Sequence, residues 1–128
     1  MLEKLCFAFR QFNDSAPKHR RLVLSPEAVR LVSARSGREL WRVEWNQIKE
    51  ICAFKVDCIT IDIICFGFHV AGSETIHITD EETPGWKELT AELSTRYGIE
   101  ESQWFDKVAF PAFKENYAVL WKAGEGKT

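Results

Sequence analysis

The stretch ITIDIICFGFHV, Ile59–Val70, decides the fold: it is the longest apolar run in the chain, and it fills both alternating positions of an extended segment. A strand with one wet face alternates apolar and polar residues, whereas a strand covered on both faces does not. The run therefore predicts a central strand, with Gly67 marking a bulge or the close approach of another element. Asp62 is its least comfortable residue, since an ionised carboxylate buried there must recover its lost hydration from a cation or from hydrogen-bond donors. Lys55 or Arg42, on neighbouring strands, could supply the cation.

Strand signals extend outward on both sides of this run. Upstream, ICAF is apolar and extended, and Asp57 suits a turn in KVDC, where an aspartate bonds its own local backbone. Trp41, Val43 and Trp45 alternate with Arg42 and Glu44, which predicts a half-buried antiparallel strand before Asn46 and Gln47 interrupt it. The runs RLVLS and AVRLVSA flank Ser25-Pro26-Glu27, and Ser36-Gly37 suits a tight hairpin turn. Downstream, Ala71-Gly72-Ser73 turns the chain, and Ile76 and Ile78 alternate with Thr75, His77 and Thr79 in one more strand.

Helical spacing takes over after Thr79. Thr83 can cap, Pro84 suits the first helical position, and Trp86, Leu89 and Leu93 repeat on one side until Gly98. Trp104 and Val108 predict a short helix stopped ahead of Pro111. Phe113, Tyr117 and Trp121, four apart, predict a last helix with an aromatic stripe. At the other end, Leu2, Leu5, Cys6, Phe9 and Phe12 fall on one face of an opening helix, with a short strand as the competing reading. Strands followed by helices define an α+β class with a meandering antiparallel sheet. The expected division is residues 1–17 as an N-terminal helix or extension, 18–123 as a single domain, and 124–128 as a frayed tail.

Composition narrows the function. With 128 residues, 45% of them hydrophobic and 28% charged, the chain can bury a core. The net charge of −2 joins a first half at +3 to a second half at −5, which argues against a general nucleic-acid binder. No apolar run approaches the length that spans a bilayer, so no stable membrane insertion is expected. The four cysteines form no CxxC pair, and three lie in strand-like stretches, which fits buried thiols in a reducing cytoplasm. No HExxH, GxSxG, GxGxxG or P-loop occurs, so neither a cofactor nor a structural metal is expected.

Two groups of residues carry the remaining signal. Asp80, Glu81 and Glu82 stand in a row before the helix, where the partial positive charge of exposed amide groups favours anions. Three consecutive acids in an extended segment diverge, whereas a hard cation needs converging oxygens, so the expected role is structural. The basic tuft Lys18, His19, Arg20 and Arg21 is expected to be a solvated approach to a strand.

The string VEWNQIKEI, residues 43–51, resembles the apolar-x-Trp-x-x-Ile-x-x-Ile segment of bacterial pleckstrin-homology-like and GRAM-like domains. The wider order, through ITDEETPGW to FPAFKENY, also resembles a group of small bacterial proteins of undetermined function. The resemblance implies a bent, partly open β-barrel capped by a helix and used to bind lipids, peptides or proteins. Its lipid-binding members carry a basic cluster in the first hairpin, where this chain has only Arg35 and Arg38 around its Ser36-Gly37 turn.

The leading expectation is a non-catalytic cytoplasmic module, regulatory or immunity-type, that binds a protein through a sheet edge or an acidic face. Asp57, Asp62, Asp80, Glu81, Glu82 and Trp86 are its candidate contacts. An unprotected edge strand could also pair two copies of the chain. One alternative is a metal-dependent hydrolase built on His77, Asp80 and Glu82 with Asp62; another is weak anionic-lipid binding through Lys18, Arg20, Arg21, Arg35 and Arg38.

Overall fold

The computed structural model describes residues 19–57, 62–110 and 116–124. The expected opening helix and nearly all of the tail lie outside them. The chain is α+β: the described residues form a three-stranded and a four-stranded antiparallel sheet, which do not close into one barrel, and two helices.

The first sheet is a meander of β1 (Arg20–Leu24), β2 (Ala28–Ser33) and β3 (Glu39–Glu44). Ser25 closes the first turn, its amide donating to the Ala28 carbonyl at 2.9 Å and its Oγ accepting from the Ala28 amide at 3.1 Å. The second turn is the one expected at Ser36-Gly37. Gly37 has φ of 75° there, in the left-handed region that glycine enters without steric cost, and its amide donates to the Ser33 carbonyl at 2.8 Å. A 3-10 turn at Trp45–Gln47, where the alternation broke, carries the chain into the second sheet.

The second sheet has the order β6-β5-β4-β7, so β4 (Ile48–Asp57) and β5 (Asp62–Val70) are its centre. They pair from Ile48↔Val70 to Asp57↔Asp62. On the inner face Ile51, Ala53, Ile64, Phe66 and Phe68 join residues of the first sheet and the helices in the main core. On the opposite face Cys52, Phe54, Val56, Ile63, Cys65 and Ile78 form a second cluster, so β5 is buried on both sides as its unbroken apolar run requires. Gly67 marks a close approach and not a bulge: the β4–β5 register runs through it, and an added Cβ would lie 3.0 Å from Cys52 Sγ and 3.2 Å from Ile76.

After β6 (Ile76–Asp80) the chain forms α1 (Trp86–Tyr97) and α2 (Glu101–Ala109). Leu89, Leu93, Trp104 and Val108 point into the main core. Thr83 does not cap α1. Gly85 holds that place with φ of 101°, while the Thr83 hydroxyl turns back to Asp80. Gly98 ends the helix in a left-handed conformation, as its position foretold.

The expected last helix is instead β7 (Tyr117–Lys122), which pairs antiparallel with β4 from Phe54↔Tyr117 to Glu50↔Lys122. Spacing of four is helical only if the intervening residues accept a helix, and YAVLW is rich in strand formers. The decisive fact is tertiary: β4 is buried from Ile51 to Val56, and its second edge would otherwise leave backbone groups there unsatisfied. A register shift between Ile51 and Cys52 lets both Leu120 and Trp121 pack on the main core. Phe113 lies outside the described residues.

Candidate functional site

The acidic trio does not form one face. Asp80 is buried: its Oδ2 lies 3.3 Å from Arg20 Nη2, with the two side chains 4% and 2% exposed. Its Oδ1 accepts from the Glu82 amide at 2.9 Å and the Thr83 hydroxyl at 3.3 Å, which fixes the turn into α1. Desolvation lowers the pKa of Arg20, and the Asp80 carboxylate opposes that shift. Glu81 Oε2 accepts the Ile64 amide at 2.9 Å, extending the ladder beyond the end of β6. Only Glu82 is an exposed acid with no recorded side-chain bond. Asp80 is therefore held inside the fold, while Glu81 is tied to the ladder yet exposed beside Glu82.

Asp62 and Trp86, among the other expected contacts, are similarly engaged. Asp62 lies 3.4 Å from Lys55 Nζ, which also donates to the Ala109 carbonyl at 2.9 Å, so one buried ammonium joins β4, β5 and the C-terminal end of α2. Arg42, the other proposed partner, faces Glu44. Asp57 pairs in register with Asp62 at the end of the β4–β5 ladder. Trp86 stacks on Phe66 with centroids 4.2 Å apart and planes at 12°, and Trp104 meets the same Phe66 edge-on.

The hydrolase constellation is not assembled. His77 and Asp80 are three apart on β6, so their side chains project from opposite faces. His77 lies against Trp41, centroids 5.7 Å apart, and burial lowers its pKa. Among the described residues no three His, Cys, Asp or Glu side chains gather as metal ligands. On the second sheet's outer face Tyr117 donates to Glu50 Oε2 at 3.2 Å, and burial pushes the Cys52 thiol up to about 11, so it stays protonated and a poor nucleophile at neutral pH.

Two surface features remain. Of the basic candidates, Lys18 lies outside the described residues, Arg20 is buried, and Arg21 is exposed on the other side of β1. Arg35 and Arg38 line a cleft of about 280 Å³ with His19, Arg20, Ser33, Ser36 and Leu40. The second feature is a groove of about 150 Å³ between α2 and β7, lined by Ile99, Gln103, Trp104, Lys107, Val119 and Leu120 among others. Among the described residues, Phe110 and Val119, 62% and 49% exposed, are the large apolar side chains most open to water. Val119 lines the groove, and Phe110 follows α2 close in space to the start of β7, since Asn116, just ahead of β7, donates to the Phe110 carbonyl at 3.1 Å. Among the described residues β7 pairs on one edge only.

Sequence reasoning missed this groove because it read Tyr117–Lys122 as helix. The aromatic and β-branched residues of YAVLW were the available signal, and a strand's period of two places Val119 on the face opposite Ala118. Compared with protein-family models, curated proteins and solved structures, the chain matches none of them.

Proposed function

We propose that the protein is a non-catalytic interaction module of the pleckstrin-homology-like kind, acting in the cytoplasm, whose β7 edge accepts an extended segment of a partner protein. The observation that carries this reading is the coincidence of a strand edge open among the described residues with Val119 on β7 and Phe110 at the end of α2, the most exposed large apolar side chains among those residues. An edge strand offers a row of amide and carbonyl groups to an added strand, and flanking apolar side chains give the added strand its specificity. Lys107 at the groove suits a partner segment with an acidic residue beside its apolar ones. The engagement of Asp80 and Glu81 within the fold favours the sheet edge over the acidic corner.

The test is site-specific photo-crosslinking in cells with a benzophenone amino acid at Val119, and at exposed Glu88 on α1 as control. A discrete adduct from position 119 that position 88 does not give supports the reading, and an adduct of twice the chain mass identifies the partner as a second copy. Identical patterns at both positions, or no adduct at 119, refute it.

A further inference from the structure

The outer face of the second sheet is dry, although no described element lies on it. Cys52, Phe54, Val56, Ile63, Cys65 and Ile78 are each at most 6% exposed, and the half-buried side chains packed against them, Ile76 and Tyr117, come from the same sheet. Among the described residues, the first sheet and both helices contribute to the main core on the opposite face and not to this cluster. A sheet cannot dry its own face. Side chains standing roughly perpendicular to the strands shield one another's flanks but leave their tips to water, so a further layer must lie on top.

Of the stretches outside the described residues, three are unsuited to supply that layer. Residues 58–61 only bridge Asp57 to its register partner Asp62. Residues 111–115 are tied off by the hydrogen bond from Asn116 to the Phe110 carbonyl, and residues 125–128 hold no apolar side chain. There remains the stretch ahead of His19, with Leu2, Leu5, Cys6, Phe9 and Phe12 on one face at helical spacing and Lys4 and Gln11 on the reverse. It joins the described chain at the right place: Arg20 on β1 reaches Asp80 at 3.3 Å, and Asp80 stands in register with Cys65 of the dry cluster. Its reach also suffices. At about 1.5 Å per residue a helix over residues 1–17 runs roughly 25 Å, against about 15 Å across four strands.

From these observations we infer that the chain's own N-terminal segment, residues 1–17, docks as an amphipathic helix across the outer face of the second sheet, with Leu2, Leu5, Cys6, Phe9 and Phe12 against it. The burial of those side chains on the Cys52 and Cys65 cluster drives the docking, and the charged reverse face of the segment meets water. Val119 stands in register with Cys52 yet is 49% exposed, so the segment stops short of β7. The inference therefore leaves the β7 edge open and does not rest on the function proposed for it.

The experiment is labelling of the full chain with N-ethylmaleimide, read by peptide mapping at Cys52 and Cys65, which are both free and buried. Phe9→Asp places a charge on the docked face, and Gln11→Asp places the same charge on the reverse. The expected result is labelling of both cysteines about tenfold faster or more in Phe9→Asp and at the parent rate in Gln11→Asp. Parent rates in both variants, or equal acceleration in both, overturn the proposal. So does protection in the parent that is lost on dilution, which assigns the cover to a second copy of the chain. A benzophenone amino acid at position 9 keeps an aromatic group on the docked face and decides the matter even where Phe9→Asp fails to fold. Irradiation of the purified chain is expected to give a crosslink within one molecule to a peptide of β4, β5 or β6. No crosslink, a crosslink to other elements only, or an adduct of twice the chain mass overturns the proposal.

Discussion

Two regions of charge sit close together on this molecule and behave oppositely. At the end of β6, Asp80 and Arg20 are almost wholly removed from water and satisfy each other and the local backbone. One residue before Arg20, His19 opens onto a cleft whose Arg35 and Arg38 meet no carboxylate among the described residues. The acids form the densest charged run in the sequence, yet Asp80 and Glu81 are tied into the fold; the two arginines are separated by a turn and look unremarkable, yet they face no carboxylate among the described residues. Charge density along a chain is thus a poor guide to which charges the surface keeps. A buried charge must be paired at once, whereas a charge on a turn can remain solvated.

The contrast can be broken most directly at Asp80. Asp80→Ala removes the carboxylate that faces buried Arg20 and is expected to cost about 3–5 kcal/mol in urea unfolding. The double variant with Arg20→Met is expected to recover part of that loss, and a single-variant cost under about 1 kcal/mol would put this corner in the same class as the cleft. Gly85→Ala tests the backbone that carries the acids into α1. At φ of 101°, its new Cβ would lie 2.8 Å from Leu22 Cβ, and a loss of about 1–3 kcal/mol is expected.

Smaller effects sharpen the comparison within the trio itself. Glu81→Ala strips the acceptor from the Ile64 amide and is expected to cost about 1–2 kcal/mol, while Glu82→Ala stays within about 0.5 kcal/mol. Equal effects at the two positions would contradict the divided roles described above. The smallest effect is a pH dependence at His77. Its folded-state pKa is below the ordinary value of about 6.5, so protons bind the unfolded chain more readily. The His77 contribution is complete above that pH and shrinks as the pH falls below it; His77→Phe is expected to flatten this part of the stability profile.

Much of the fold was legible because it rests on local pattern. The unbroken apolar run gave β5 its two covered faces, Ser36-Gly37 gave the β2–β3 turn, and Gly98 gave the end of α1. Of the two partners expected for Asp62, Lys55 is the one the fold supplies, and Arg42 faces Glu44 instead. The failures share a cause: each needed knowledge of a neighbour distant in sequence. Thr83 reads as a cap until Asp80 takes its hydroxyl, and Tyr117–Lys122 reads as helix until the bare edge of β4 is seen to need a strand.

By itself the sequence determined the fold class, the strands from Arg20 to Asp80 and the two helices α1 and α2, because alternation, helical spacing and turn residues act over a few positions of chain. Which charges are held inside and which are left to the surface was decided only by tertiary structure. The energy of a charge depends on the water and the counter-charges around it, and those are set by segments that meet only when the chain has folded.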